Sequence, residues 1–351
     1  MDFEKILNRE AMNEQSRMDE ELPQVRRSVL LFFITLCSVF LVYGFQWTNG
    51  NPLTDPVIAW QSGQFAVALM SILLCHEMGH YWVARYHGFA LSVPYFLPFP
   101  FAFGTLGAVI QLRSLPKSRT ALLEMGAAGP IAGFLVTIFC ILVGAKETRN
   151  NLYVEIEGNR EAYIQAIETI EVTEKTWMSE WLGWLGSTPT IEQVDVLIMS
   201  DPIVMKMLHL PFLEEPLSPY AELSPIAFAG WVGCLITSIN LLPIGQLDGG
   251  HIANAVLPKY ATTISKTLLV LIFCVGLLTW KGWCVWTVLL WWMRATEPVG
   301  VPRRTKLTFR AKGIAVLSLI VFVMCAMLEP IYTASIPIDE VFWVEPEQNS
   351  K

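Results

Sequence analysis

Two histidines four residues apart, with a glutamate directly after the first, stand at His76-Glu77-Met78-Gly79-His80. On a helix, residues with this separation share a face, so both imidazoles reach one metal ion. Glu77 lies roughly 60° round the helix from His80, where it faces a metal-activated water without being a ligand. Holding Zn²⁺ and taking a proton from its water both fit this spacing. A second chemical stretch comes much later: Asn240-Leu-Leu-Pro243-Ile-Gly-Gln-Leu247-Asp248-Gly249-Gly250-His251. Catalytic zinc commonly takes three protein ligands and keeps one position open. Asp248 is the natural third after His76 and His80. Its plainer alternative is a turn or helix-cap aspartate before Gly-Gly. His251 either orients Asp248 or is an ordinary interfacial histidine. His87 falls at a surface position, and His209 has no partner in sequence.

The elements that must position these groups are apolar. Gln64 to Ala84 is apolar except for the motif itself and is long enough to cross a bilayer. Ionisable groups at that depth are costly and mark function or mutual compensation. A first span is predicted over Val29 to Phe45, after Arg26 and Arg27, and the following loop to Ser62 has no Lys or Arg. By the positive-inside rule this places the N-terminus and the motif-bearing end in the cytoplasm. Val93 to Phe103 is apolar and proline-rich, which forbids a continuous helix. With Gly104 to Arg113 it reads as a membrane-embedded hairpin that must pack on protein or line a cavity. Within it, Thr105 to Arg113 reads as a strand, with Gly107, Ala108, Val109 and Ile110 as the candidate positions for pairing with an unwound substrate. Val109 and Gln111 face one way there, Ala108 and Ile110 the other.

Ala121 to Val143 is the third predicted span, and Gly126, Gly129 and Gly133 give it a small-residue face for close helix contact. Lys146 to Ser218 carries 13 acidic and 5 basic residues, so −8, and suits the external side. Ile164 to Val172 is a candidate helix there, and Trp177 to Trp184 a candidate interfacial segment. A fourth span over Pro225 to Leu242 leads into Pro243 and the two glycines, which break the helix around Asp248; the freed backbone needs partners, which a metal centre with bound substrate would supply. Ser265 to Trp280, Trp283 to Met293 and Gly313 to Leu328 complete a count of about seven spans. Arg294, Arg303, Arg304, Lys306, Arg310 and Lys312 gather before the last of these, on the cytoplasmic side.

The fold class is therefore an all-α polytopic membrane protein with a membrane-associated β-hairpin next to the metal site. Its parts are a cytoplasmic segment 1–28, three spans in 29–143 and an acidic insert 146–218. The second motif lies in 219–262, further spans in 263–330 and an acidic tail in 331–351. Of the 351 residues, 53% are hydrophobic and 16% charged, against about 25% charged in soluble chains. The net charge of −7 argues against nucleic acid as a partner. The seven cysteines are scattered through mostly apolar stretches and form neither a disulfide framework nor a zinc knuckle.

In these two motifs the chain resembles the site-2 protease family of intramembrane zinc metalloproteases. The likeness rests on His76-Glu77-Met78-Gly79-His80, on Asn240-x-x-Pro243-x-x-x-Leu247-Asp248-Gly249, and on Gly126-x-x-Gly129-Pro130-x-x-Gly133 between them. The last looks like the bacterial, cyanobacterial and plastid branch. The resemblance implies one Zn²⁺ per chain held by His76, His80 and Asp248, with Glu77 as general base. It places Asn240 near the site, for oxyanion or substrate positioning. The implied substrates are transmembrane proteins cut in or near their membrane segments, in regulated intramembrane proteolysis. The expected location is a bacterial cell membrane with the active site toward the cytoplasm. Two rival readings are an ion or metal transporter and a membrane-anchored protease with a soluble motif helix. The first needs ligands strung along a path, the second a polar flank that Phe65 to Cys75 lacks.

Overall fold

The computed structural model describes residues 24–48, 50–149, 155–157, 193–209, 221–292, 297, 299–302, 305–337 and 342–344. The candidate elements at 164–172 and 177–184, and the basic residues Arg294, Arg303 and Arg304, lie outside the described residues. The first helix, α1, runs Gln24–Trp47, its last turn widened to a π-helix at Tyr43–Trp47. Helix α2, Pro56–Tyr86, carries the sequence His76-Glu77-Met78-Gly79-His80; Asp55 caps it by accepting from the Val57 and Ile58 amides, and Pro56 takes the first turn. Its 31 residues span about 46 Å, more than a bilayer core of roughly 30 Å. Strands β1 (Tyr95–Pro98) and β2 (Thr105–Val109) form a hairpin before α3, Arg119–Ala145, which Ser118 caps. Then come β3 (Glu155–Glu157), β4 (Gln193–Met199), α4 (Ile203–His209), α5 (Pro225–Asn240), α6 (Asp248–Val256) and α7 (Ala261–Leu278). The chain closes with α8 (Gly282–Trp292), α9 (Phe309–Cys325), β5 (Ile331–Pro337) and β6 (Phe342–Val344).

Four described helices, α1, α2, α3 and α7, are long and apolar enough to cross a membrane. Helices α5 and α8 are apolar but shorter. Helix α3 is the hub, packing on α2, α5, α6 and α9. Leu69, Met70, Ile72, Ile141 and Trp231 are fully buried where α2, α3 and α5 meet. Strands β4 and β5 pair antiparallel from Gln193↔Pro337 to Met199↔Ile331, and β3 pairs parallel with β6. The acidic insert and the C-terminal tail, which the sequence sets apart as separate segments, are thus joined by strands on one face of the bundle.

The apolar hairpin lies along the whole of α1. From one end to the other, Arg113 Nη2 donates to Gln24 Oε1 (2.9 Å), and Ser28 Oγ donates to the Pro94 carbonyl. Ser38 Oγ donates to the Phe99 carbonyl (3.2 Å), Gln46 Nε2 to Pro100 (3.1 Å) and Trp47 Nε1 to Ala102 (2.8 Å). Residues 24 to 47 of a helix rise about 35 Å, so the hairpin traverses the bundle's full depth. Prolines remove amide donors that lipid cannot satisfy, and side chains of α1 take up the remaining carbonyls. The hairpin's tip is held by aromatic packing. Phe103 stacks on Trp47 with ring centroids 5.5 Å apart, and Phe103 also meets Phe228 and Trp231 edge-on.

Strand β2 ends at Val109, earlier than the predicted Arg113, and it is bulged. Gly107 has φ 93° and the register shifts opposite Phe96–Pro98. Pairing resumes beyond it as a Leu91↔Leu112 bridge, flanked by Ser92 N to Gln111 O (3.0 Å) and Arg113 N to Ala90 O (2.8 Å).

Gly104 has φ 83°, and a Cβ there would stand 2.3 Å from the Val39 Cα of α1. Gly104→Ala is therefore expected to destabilise the fold by about 1–3 kcal/mol and to expose the hairpin to protease. Thermal unfolding in detergent and limited proteolysis check this. Gly63→Ala, where a Cβ meets nothing within 4 Å, is the control and should leave both unchanged.

Candidate metal centre

His76 and His80 face the same side of α2, and Asp248 opens α6 directly opposite. The His76 Nε2 lies 3.1 Å from Asp248 Oδ2 and 3.1 Å from His80 Nε2, while His80 Nε2 lies 3.2 Å from Asp248 Oδ1. Ligands on a tetrahedral zinc at about 2.0–2.1 Å sit roughly 3.3 Å apart, so these three atoms fit one such ion. Two facing imidazole nitrogens share at most one proton, whereas a cation satisfies both lone pairs at once. The outer nitrogen of His80 supports the same assignment. Its Nδ1–H donates to the Met125 carbonyl (2.8 Å), which leaves the Nε2 lone pair directed inward. Among the described residues, this is the group of metal-binding side chains that converges on one point.

Glu77 is 7% exposed. It lies close enough to His76, His80 and Asp248 to interact with each electrostatically, but does not join their convergence. Asn240, the last residue of α5, brings its Nδ2 to 3.5 Å from His76 Nε2. Two stretches separated by more than a hundred and sixty residues therefore meet at one buried polar centre.

What lets them meet is the absence of side chains on α3. A Cβ on Gly129 would lie 2.0 Å from His80 Nε2, and one on Gly133 3.1 Å from the His76 Cβ. At Gly126 it would reach 2.9 Å from the His251 Cβ and 3.1 Å from the Asp248 carbonyl. The fit is reciprocal, since a Cβ on Gly79 would strike the Ala128 carbonyl at 2.5 Å. Pro130, inside α3, has no amide for the Gly126 carbonyl.

The chain break before Asp248 is held by groups that the sequence reading missed. That reading assigns the freed backbone groups to the metal centre and its substrate. In the structure Gly245 N donates to Ser265 Oγ on α7 (2.8 Å), and Leu247 N turns back to the Ile244 carbonyl (2.9 Å). Gly249 and Gly250 lie where a Cβ would meet the Leu241 carbonyl at 2.0 Å and that of Gly245 at 2.4 Å. At the other end of α6, Arg119 donates through Nε to Ala255 O (2.7 Å) and through Nη2 to Val256 O (2.9 Å). It thereby caps the helix whose first residue is Asp248. A signal for Arg119 exists in the sequence, because a cation in the first turn of α3 opposes the helix dipole and needs another reason to be there.

The other singled-out residues fall as follows. His87 pairs with Glu124 (2.8 Å) beyond the end of α2. His209 is buried in α4, its Nδ1–H donating to the Met205 carbonyl (3.0 Å). His251 is one turn past Asp248, with its Nδ1 buried and without a hydrogen-bond partner. Gly107, Ala108 and Ile110 are half-buried and Val109 exposed; Gln111 is exposed on the same side as Val109.

Gly129→Ala must displace the His80 imidazole, so zinc affinity is expected to fall by about 10–100-fold. Metal titration on purified protein in detergent checks it. Gly313→Ala, with nothing within 4 Å, should bind zinc as wild type does.

Comparison with known proteins agrees with this centre. The sequence model of peptidase family M50 matches residues 64–279, more than half of the chain. The chain is 28% identical over 196 residues to the probable zinc metalloprotease EGY1, chloroplastic, of Arabidopsis thaliana, covering 56% of this chain and 30% of that one. It is 26% identical over 231 residues to the probable zinc metalloprotease EGY2, chloroplastic, of rice (Oryza sativa subsp. japonica), covering 65% and 35%. A third relative, the Arabidopsis probable zinc metallopeptidase EGY3, chloroplastic, is 25% identical over 270 residues, covering 77% and 42%. The chain thus spans less than half the length of each of these relatives. No solved structure matches it. With its apolar membrane-length helices and matching family signature, the chain belongs to peptidase family M50, the site-2 proteases.

Proposed function

We propose that the protein hydrolyses peptide bonds in or near transmembrane segments of other membrane proteins, and serves regulated intramembrane proteolysis. The observation that carries this reading is the convergence of His76, His80 and Asp248 beside Glu77 inside a bundle of membrane-length helices. His76 stands 10 residues before the end of α2, about 15 Å along its axis, within hydrocarbon depth. One zinc per chain is held by those three residues.

Bound there, zinc supplies Lewis acidity and makes a water acidic enough to lose a proton near neutral pH. Glu77 takes that proton as the water oxygen adds to the scissile carbonyl carbon. The same carboxyl then delivers it to the leaving nitrogen as the C–N bond breaks. Asn240 donates toward the carbonyl oxygen as charge builds on it. A substrate helix must unwind to expose a carbonyl, and its freed backbone groups cost several kcal/mol each in lipid. The strand β2 and its continuation through Ile110 offer an edge for them, by strand addition that tolerates many sequences.

The reading also orients the molecule. Arg85, Arg113, Lys117, Arg119, Lys306, Arg310 and Lys312 mark the end nearer the metal centre, which by charge is the cytoplasmic face of a bacterial cell membrane. Insert 146–218 and tail 331–351 are external, and α5, α8 and α9 complete seven spans. The catalytic unit is 29–143 with 219–262.

Glu77→Gln is expected to lower cleavage of a single-span substrate by about 10²–10⁴-fold while zinc stays stoichiometric. Asp248→Ala should lose metal as well as activity. Cleavage assays in proteoliposomes, paired with metal analysis, decide this. Full turnover by the Glu77 variant, or stoichiometric zinc with unchanged turnover in the Asp248 variant, removes that residue from its role.

A further inference from the structure

A cavity of about 670 Å³ lies between the hairpin and the start of α6. One wall is the continuation of β2, with Val109, Gln111 and Leu112; the other presents Gln246 and His251. These two residues bracket the metal ligand Asp248 in sequence, two before it and three after. The cavity therefore sets the continuation of β2 opposite the residues that flank Asp248.

The polar character of the second wall needs a reason. Gln246 is exposed in a segment that sits at membrane depth, where an amide without partners costs several kcal/mol. Its direction is set by the backbone: Gly245 takes φ 38°, is held by Ser265 Oγ, and the Leu247 N to Ile244 O turn swings residue 246 outward. His251 has a buried Nδ1 with no hydrogen-bond partner, and its Cβ sits against α3 where Gly126 leaves room for it.

An extended backbone directs its N–H and C=O groups to both sides of the strand. Pairing on β2 satisfies one side only. The other side still needs donors and acceptors, because lipid supplies neither. Gln246 offers both on one side chain, and the His251 imidazole adds one more through the nitrogen other than its buried Nδ1. We propose that Gln246 and His251 bind the backbone edge of the unwound substrate that β2 leaves unpaired, so that the substrate is clamped from two sides as it passes Asp248. This rests on the strand-addition reading above and adds its second wall. Recognition through both walls addresses the backbone, so it is indifferent to most substrate side chains.

The test uses the full chain in proteoliposomes with a single-span substrate. Gln246→Leu and His251→Phe remove the polar groups and keep bulk. Each is expected to raise KM about ten-fold, with kcat little changed and zinc stoichiometric, and Gln246→Asn should recover part of the loss. In a Glu77→Gln variant free of native cysteines, a cysteine at position 246 should form a disulfide with one at the scissile region of the substrate. Unchanged KM in both variants together with absent cross-linking overturns the proposal while leaving the protease reading intact. If His251→Phe loses zinc, the Gln246→Leu kinetics and the cross-link decide alone. Zinc-loaded wild-type protein that cleaves no membrane substrate sinks the protease reading itself.

Discussion

Lipid provides no hydrogen bonds, so backbone that leaves helix or strand within this bundle has to find its partners within the chain. That constraint organises the structure. The metal-binding side chains compensate one another at a single point. The proline-rich hairpin, which cannot be a helix, is paid off strand by strand against itself and carbonyl by carbonyl against α1. The broken backbone ahead of Asp248 is closed by Ser265 and by its own turn. Polar residues that look incidental in apolar spans supply what these irregular segments require: Ser38 and Gln46 donate to hairpin carbonyls, and Ser265 accepts from the Gly245 amide.

A second constraint is distance. A metal ion of this kind tolerates donor atoms only within a few tenths of an ångström of their positions, and here the donors come from two helices that approach over a third. The small-residue face of α3 removes the volume that would keep them apart. Gly129 leaves space for the His80 ring, Gly133 for His76, and Gly126 for the turn of α6 that begins with Asp248. The other end of that short helix is tied by Arg119. Helix α6 is thus fixed at both ends, although it contributes one ligand.

The hairpin links the two themes. Its tip is anchored in an aromatic cluster with Trp47, Phe228 and Trp231, while its base borders the cavity that Gln246 and His251 line from the other side. An element that only needed to seal the bundle would not have to run from one end of α1 to the other. Running that far lets one strand edge lie beside a membrane-embedded centre while its anchoring is kept at both faces of the bundle.

The convergence of His76, His80 and Asp248 was legible before any fold, because it depends on helical spacing and on residue type. His76, Glu77 and His80 need only a helix to be arranged, and a long apolar run guarantees one. Asp248 was legible as a carboxylate at a helix break, and the family signature carried in both motifs named the class. The span count was less legible: α5 and α8 are short, and length alone leaves them undecided. The strand beyond Thr105 was foreseen but not its bulge at Gly107, since a glycine in a strand pattern does not announce its φ. Only the tertiary structure decided how the freed backbone of 241–247 and the hairpin are satisfied, and that Arg119 caps α6. Those partners lie up to 137 residues apart in the chain, and hydrogen bonds of that reach leave no periodicity in a sequence. Spacing along one helix is local and can be read from residue types; complementarity between distant segments exists only once the helices have packed.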